Sequence, residues 1–200
     1  MLNSLPFFIS AVMVTVYLRI GILLTSTIHG DQAVGIYSAA YNLAYNLLMI
    51  PLGIMLSIYP RLSKFANSNI KKFKYTYKYA KKLIALSSII IFLALILSYF
   101  VILFLYGREY IGAVPPFRIL LIGQIFAFFS TLYLFTLNSI NKQHYYLVAV
   151  SISFIINIIL NFILIPKYSV LGAAYSLAIT EFIGFGILAY IVNKEKRKLK

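Results

Sequence analysis

Apolar runs of membrane-spanning length, separated by short polar or basic stretches, set the pattern of this chain. A helix that crosses the hydrocarbon layer needs about 20 mostly apolar residues. Six segments supply them: roughly 5–28, 34–59, 83–106, 116–138, 145–165 and 170–192. They leave no room for a soluble domain, so the pattern predicts an all-α, polytopic membrane protein, a single six-helix membrane lobe over residues 1–200. The first run has no basic residue before it and continues past Arg19, beyond the apolar stretch of a signal peptide, and reads as a retained span.

Several spans carry polar residues spaced by three, four or seven, which share one face of a helix. Thr15, Arg19 and Ser26 line up in the first. In the second, Tyr37, Tyr41 and Tyr45 form one edge of a polar arc that continues through Ser38 to Asn42 and Asn46. The fourth carries Gln124, Thr131 and Asn138, and the fifth Tyr146, Ser153, Asn157 and Asn161. Lipid offers these groups no hydrogen-bond partner, so the stripes are expected to turn inward, toward other helices or a shared, water-filled cavity. Two readings stay open: interhelical hydrogen bonds that hold the bundle, or a cavity wall whose tyrosine edge suits a sugar. Gly172, Ser176, Thr180 and Gly184 recur every four residues in the sixth span and fit close backbone packing. The third span has no ionisable group except tyrosines and is expected to face lipid.

Composition supports the bilayer. Hydrophobic residues make up 62% and charged residues only 11%, against roughly 25% charged in soluble domains. A net charge of +14 would suggest nucleic acid in a soluble protein, but here it collects in two blocks outside the apolar runs. The 61–82 loop holds Arg61, Lys64, Lys71, Lys72, Lys74, Lys78, Lys81 and Lys82 without an acid. The 193–200 tail holds Lys194, Lys196, Arg197, Lys198 and Lys200. Such blocks mark the cytoplasmic side, and with six spans both termini are expected there, so no nucleic acid is implied. The connections at 29–34, 107–115 and 166–169 are poor in Lys and Arg and are expected outside. The stretch "NIKKFKYTYKYAKKL" interleaves Lys with Phe and Tyr, as expected of an amphipathic helix lying in the inner headgroup layer. The chain has no cysteine, which excludes disulfides, thiolate metal sites and cysteine nucleophiles.

Arg19 and Glu181 fall near mid-span, where insertion of a charge costs about 2.5–3.5 kcal/mol. One reading pairs them to fix the packing of the first and sixth helices. The other gives Arg19 a hydrated cavity, where its fork of donors meets a phosphate-bearing group. The remaining acids, Asp31, Glu109 and Glu195, lie near helix ends, so no carboxylate pair follows from spacing. His29 and His144 read as helix-end and loop residues. With no HExxH, no GxxxxGK[ST] and no GxGxxG, neither an enzyme nor a cofactor or metal site is expected.

Three stretches carry a resemblance as a set: "YLRI" in the first span, "GDQAVGIYSAAYNLAYNLLMIPLGIMLSIYPRLSKF" through the second, and "NKQHYYLVAVSISFIINIILNFILIPKYSVLGAAYSLAITEFIGF" near the end. Together they resemble the second lobe of the bacterial polysaccharide-repeat (Wzx-type) flippases, members of the MATE-like (MOP) exporter superfamily. The resemblance implies one lobe of a MATE-like flippase in the bacterial cytoplasmic membrane. Such a protein flips lipid-pyrophosphate-linked oligosaccharide repeat units for O-antigen and other surface polysaccharides by alternating access between two six-helix lobes. It implies that Arg19 lines the central cavity and meets the substrate's negative charge, and that Pro51 sits in a bent second helix. The polar stripes, read on their own, add Thr15, Tyr37, Tyr41, Tyr45, Asn42, Gln124 and Asn157 as expected substrate-cavity positions, with Glu181 as an intramembrane acid. Members often continue "YLRID", whereas this chain has Gly21 in place of the acid. Since the family has two lobes, a missing amino-terminal lobe is the expected partner, from the same gene product, a split gene or a second copy. A multidrug or small-solute exporter of the same superfamily, or an inactive membrane scaffold subunit, remains an alternative.

Overall fold

The computed structural model describes residues 5–66 and 68–198, with side chains from residue 8 onward. These residues are helical nearly throughout, with no strand among them. Among the described residues four helical runs are long and apolar enough to cross a membrane: Phe8–Ala66, Ile70–Ile96, Arg108–Ser139 and Gln143–Lys198.

Two of the runs contain a sharp fold. Helix α1 (Leu5–Asn46) leaves helical geometry at Gly30, whose φ of 81° is open to a residue without a Cβ. Its two arms then run side by side: the Tyr37 hydroxyl lies 3.4 Å from where a Cβ on Gly21 would sit. At the far ends of the arms Tyr17 and Tyr45 reach the same carboxylate. Helix α7 (Gln143–Lys198) folds at Ser169 (φ 50°, ψ −127°). A left-handed non-glycine residue of this kind costs on the order of 1–3 kcal/mol. The arms of α7 are joined across that fold by Asn157 Nδ2, which donates to Thr180 Oγ1 at 3.1 Å. The outer loops expected at 29–34 and 166–169 therefore reduce to single off-helix residues. Pro166 stays within the helix, close to its interruption, where the donor it removes matters least. The expected 193–200 tail is instead the last turn and a half of α7 as far as Lys198, with Lys196, Arg197 and Lys198 placed favourably at a helix C-terminus; residues 199 and 200 lie outside the described residues.

Between α1 and α2 (Met49–Ala66) the helix is broken at Leu47 and Leu48. Pro51 supplies the reason: it has no N–H to give the Leu47 carbonyl, which instead accepts from Ile50 N at 3.1 Å in a tighter turn. The expected bend at Pro51 is thus present, four residues ahead of the ring. The 61–82 loop is almost wholly helical, shared between the end of α2 and α3 (Ile70–Ser87); residue 67 lies outside the described residues. Asn69 caps α3 by accepting from Lys72 N at 3.0 Å. The buried face of α3 is Phe73, Thr76, Tyr77, Ala80 and Ile84, the three-and-four spacing of an amphipathic helix. Single residues, Ser88 and Leu97, separate it from α4 (Ile89–Ile96) and α5 (Ser98–Tyr106). The amphipathic segment is therefore the direct continuation of the third apolar run.

In α4 and α5 only Ile91, Ser98 and Ile102 are buried, and Phe104 is 89% exposed. This is the surface of a helix against lipid. The 107–115 connection is mostly a 3-10 turn, Arg108–Ala113, entered through Gly107 at φ 85°. It leads into α6 (Val114–Ser139), where early prolines suit a helix start. Helix α6 packs against both long helices. Gly123 permits this contact, because a Cβ there would lie 2.9 Å from the Ala178 Cα. Gly172 plays the same part within α7, where a Cβ would collide with the Leu164 carbonyl.

Candidate functional site

The arms of α1 and α7 enclose, with α6, a cavity of about 130 Å³. Its charged wall is Glu181. The Glu181 Oε1 accepts from Tyr45 Oη at 3.1 Å and from Tyr17 Oη at 3.3 Å. Tyr45 is held by stacking on Tyr41, with ring centroids 4.5 Å apart, and Tyr41 in turn lies against Tyr37 at 6.0 Å. Ser130, Thr131, Tyr146 and Ser153 complete the polar lining. The Ser130 Oγ is buried without a partner. Two phenol donors on one carboxyl oxygen satisfy a polar group that apolar surroundings would otherwise exclude.

A second polar column continues along α7. Thr180, also in the cavity wall, accepts from Asn157, whose own Oδ1 accepts from Asn161 Nδ2 at 2.7 Å. The Asn161 Oδ1 is left buried and unpartnered, 3.5 Å from where a Gly21 Cβ would stand. Gly21 therefore stands beside Tyr37, Asn161 and Ala173, where a Cβ would meet each at 3.4–3.6 Å.

The residues expected to share one site fall in four places. Tyr45 and Glu181 line the cavity, and Tyr37 and Tyr41 back it as a buried ladder. Asn157 bonds to Thr180 between the arms of α7, as interhelical glue would. Gln124 is fully enclosed with an unpartnered Oε1. Thr15, Arg19 and Asn42 are not in the cavity: all three are exposed, as is Asn46. The inward orientation expected of the Thr15–Arg19 stripe does not hold among the described residues, because the first arm of α1 buries Ser10, Tyr17, Gly21 and Thr25 instead. Ser10, Gly21 and Thr25 are small and allow close approach, and Tyr17 is turned inward to Glu181.

Arg19 makes no ion pair with any described residue. Among the described residues the one salt bridge within 4 Å is Lys198 to Glu195. Because α1 folds at Gly30, Arg19 and Tyr41 stand at matching depth on its two arms. Arg19, Thr15 and Asn42 thus form an uncovered polar face, and Glu181 with its tyrosines a covered interior site. Among the described residues no three His, Asp or Glu side chains converge as a metal-ligand group. Sequence reasoning missed Tyr17; its spacing of four from Gly21 and Thr25 was the available signal.

Residues 6–163 match the family model described as MatE. The chain belongs to the MatE family. This MatE chain is also 30% identical, over 129 residues, to an uncharacterized membrane protein of Methanocaldococcus jannaschii. That match covers 62% of the chain and 25% of the archaeal protein, so the chain spans about a quarter of the relative's length. No solved structure matches significantly. Family and apolar helices together make the MatE chain a multi-pass membrane protein.

Proposed function

We propose that this MatE chain is the carboxy-terminal lobe of a flippase for lipid-pyrophosphate-linked oligosaccharide repeat units, acting without enzymatic chemistry in a bacterial cytoplasmic membrane. In this reading the six apolar segments cross the bilayer separately, with both termini and the basic 61–82 region in the cytoplasm. The fold-backs at Gly30 and Ser169 support that count, since a straight run of 56 residues would extend about 84 Å, far beyond a bilayer.

One observation carries the reading: Arg19 is exposed in mid-run, has no acidic partner, and shares its face with Thr15 and Asn42. Lipid does not tolerate such a face. A second lobe closing over it would create a hydrated cavity in which the guanidinium binds pyrophosphate by paired, charge-assisted hydrogen bonds. The test co-expresses the chain with an amino-terminal lobe in a strain whose surface polysaccharide depends on the flippase. With protein levels quantified, Arg19→Lys retains partial export, having kept the charge but lost the fork, and Arg19→Ala abolishes it. Normal surface polysaccharide from Arg19→Ala overturns the proposal.

A second reading rests on the other group. Glu181 and the tyrosine ladder offer a negative charge and aromatic faces, the features that suit an organic cation. A small-solute exporter would bind such cations in purified form and ignore lipid pyrophosphates.

A further inference from the structure

The basic block contains a built groove that the transport reading leaves unused. Lys74, Tyr77, Lys78 and Lys81 of α3 face Lys196 and Arg197 of α7 around an open space of about 670 Å³. No acid lines it. Glu195, the nearby carboxylate, is buried and bonded to Lys198 Nζ at 2.6 Å, which holds its carboxyl below the usual range. Lys196 is fixed over the Tyr77 ring, 3.4 Å from its centroid, so the cation is positioned rather than mobile. Burial, with the charges of Lys81 and Lys74 behind it, holds Lys196 below the ordinary lysine value. Five cations converging on one space leave a charge that an anion would neutralise.

The neighbouring surface identifies the anion's carrier. Lys78 and Lys81 also border a second depression walled by Tyr79, Leu83 and Leu86. Tyr75, Tyr79 and Leu86 are exposed, and α3 runs on into the exposed apolar surface of α4. Tyrosine and lysine together on the last turns before an apolar run mark the headgroup level. A ligand filling both spaces has a phosphate at one end and hydrocarbon at the other. We infer that the groove between α3 and the end of α7 binds the headgroup phosphate of an anionic phospholipid, with an acyl chain along Tyr79, Leu83 and Leu86. This inference does not depend on the transported substrate.

The chain has no tryptophan, so Tyr79→Trp gives a single reporter beside the site. The full chain carrying it is reconstituted in phosphatidylcholine vesicles containing brominated phosphatidylglycerol or brominated phosphatidylcholine. The ratio of quenching constants gives the preference for the anionic lipid. Charge-assisted hydrogen bonds from the groove lysines to the phosphate predict a preference of roughly tenfold. Lys74→Gln, Lys81→Gln and Lys196→Gln together should bring the ratio near one, with quenching by brominated phosphatidylcholine reporting that the variant is inserted. If that triple variant does not insert, Lys81→Gln alone should lower the ratio severalfold. Lys64→Gln, Lys71→Gln and Lys72→Gln together remove the same charge from outside the groove and should leave the preference intact. No preference in the starting protein overturns the inference, as does an equal loss in the outside variant, which would mean diffuse attraction. Abolition by excess inorganic phosphate also overturns it, since the groove would then take a free anion.

Discussion

At the scale of single residues, the governing problem is how a carboxylate is kept among apolar helices. Glu181 is served by phenols, whose rings remain compatible with the packed interior while their hydroxyls donate. Tyr45 makes the shorter bond and is itself stacked on Tyr41, so its geometry is the better fixed. Replacing Tyr45 by Phe should destabilise the fold by about 1–2 kcal/mol, Tyr17→Phe should cost less, and the double change more than the sum. Unfolding in mixed detergent micelles followed by circular dichroism measures this; a Tyr45→Phe variant of unchanged stability would show that the bond contributes nothing. Glu181 and Tyr45 were legible in the sequence because a mid-run acid and a tyrosine repeat are chemically conspicuous. Tyr17 was not, because a lone tyrosine in an apolar run looks interfacial. Arg19, two residues on and so roughly 200° around the helix, drew the polar stripe onto the opposite face.

At the scale of elements, packing is set by where side chains are missing. Membrane helices gain little from burying apolar surface against one another and depend on close contact. Gly123→Leu and Gly172→Leu would push α6 from α7, and one arm of α7 from the other. Each should cost about 1–3 kcal/mol, whereas Gly53→Ala, with nothing within 4 Å, should be neutral or slightly stabilising. The same unfolding measurement ranks them, and equal effects at Gly53 and Gly123 would contradict the packing account. The apolar segments, the amphipathic character of α3 and the small-residue stripe could all be read from spacing, and the bend near Pro51 followed from the resemblance and from the donor that proline lacks. The one-residue folds at Gly30 and Ser169 could not. Residues such as "DQAV" after Gly30 are compatible with either helix or loop, and Ser169 carries no glycine signal for its left-handed backbone. The continuation of α3 into α4 was equally hidden, because Lys and Tyr describe a surface helix whether or not it goes on to enter the hydrocarbon.

At the scale of the whole molecule, the chain has two kinds of exposed surface. Helices α4 and α5 present Ile, Leu and Phe, which lipid accommodates; the arms of α1 present Arg19, Thr15 and Asn42, which it does not. The central claim is that the second surface faces water in a cavity closed by a partner lobe. Since the chain has no cysteine, Arg19→Cys and Phe104→Cys each introduce a single thiol, on the two kinds of surface. Thiolate forms only where water reaches it, so reaction with a polar maleimide distinguishes cavity from hydrocarbon. With an amino-terminal lobe co-expressed and both membrane faces open to the reagent, the account predicts labelling of Arg19→Cys and none of Phe104→Cys; an Arg19→Cys thiol as inert as the one at 104 would contradict it.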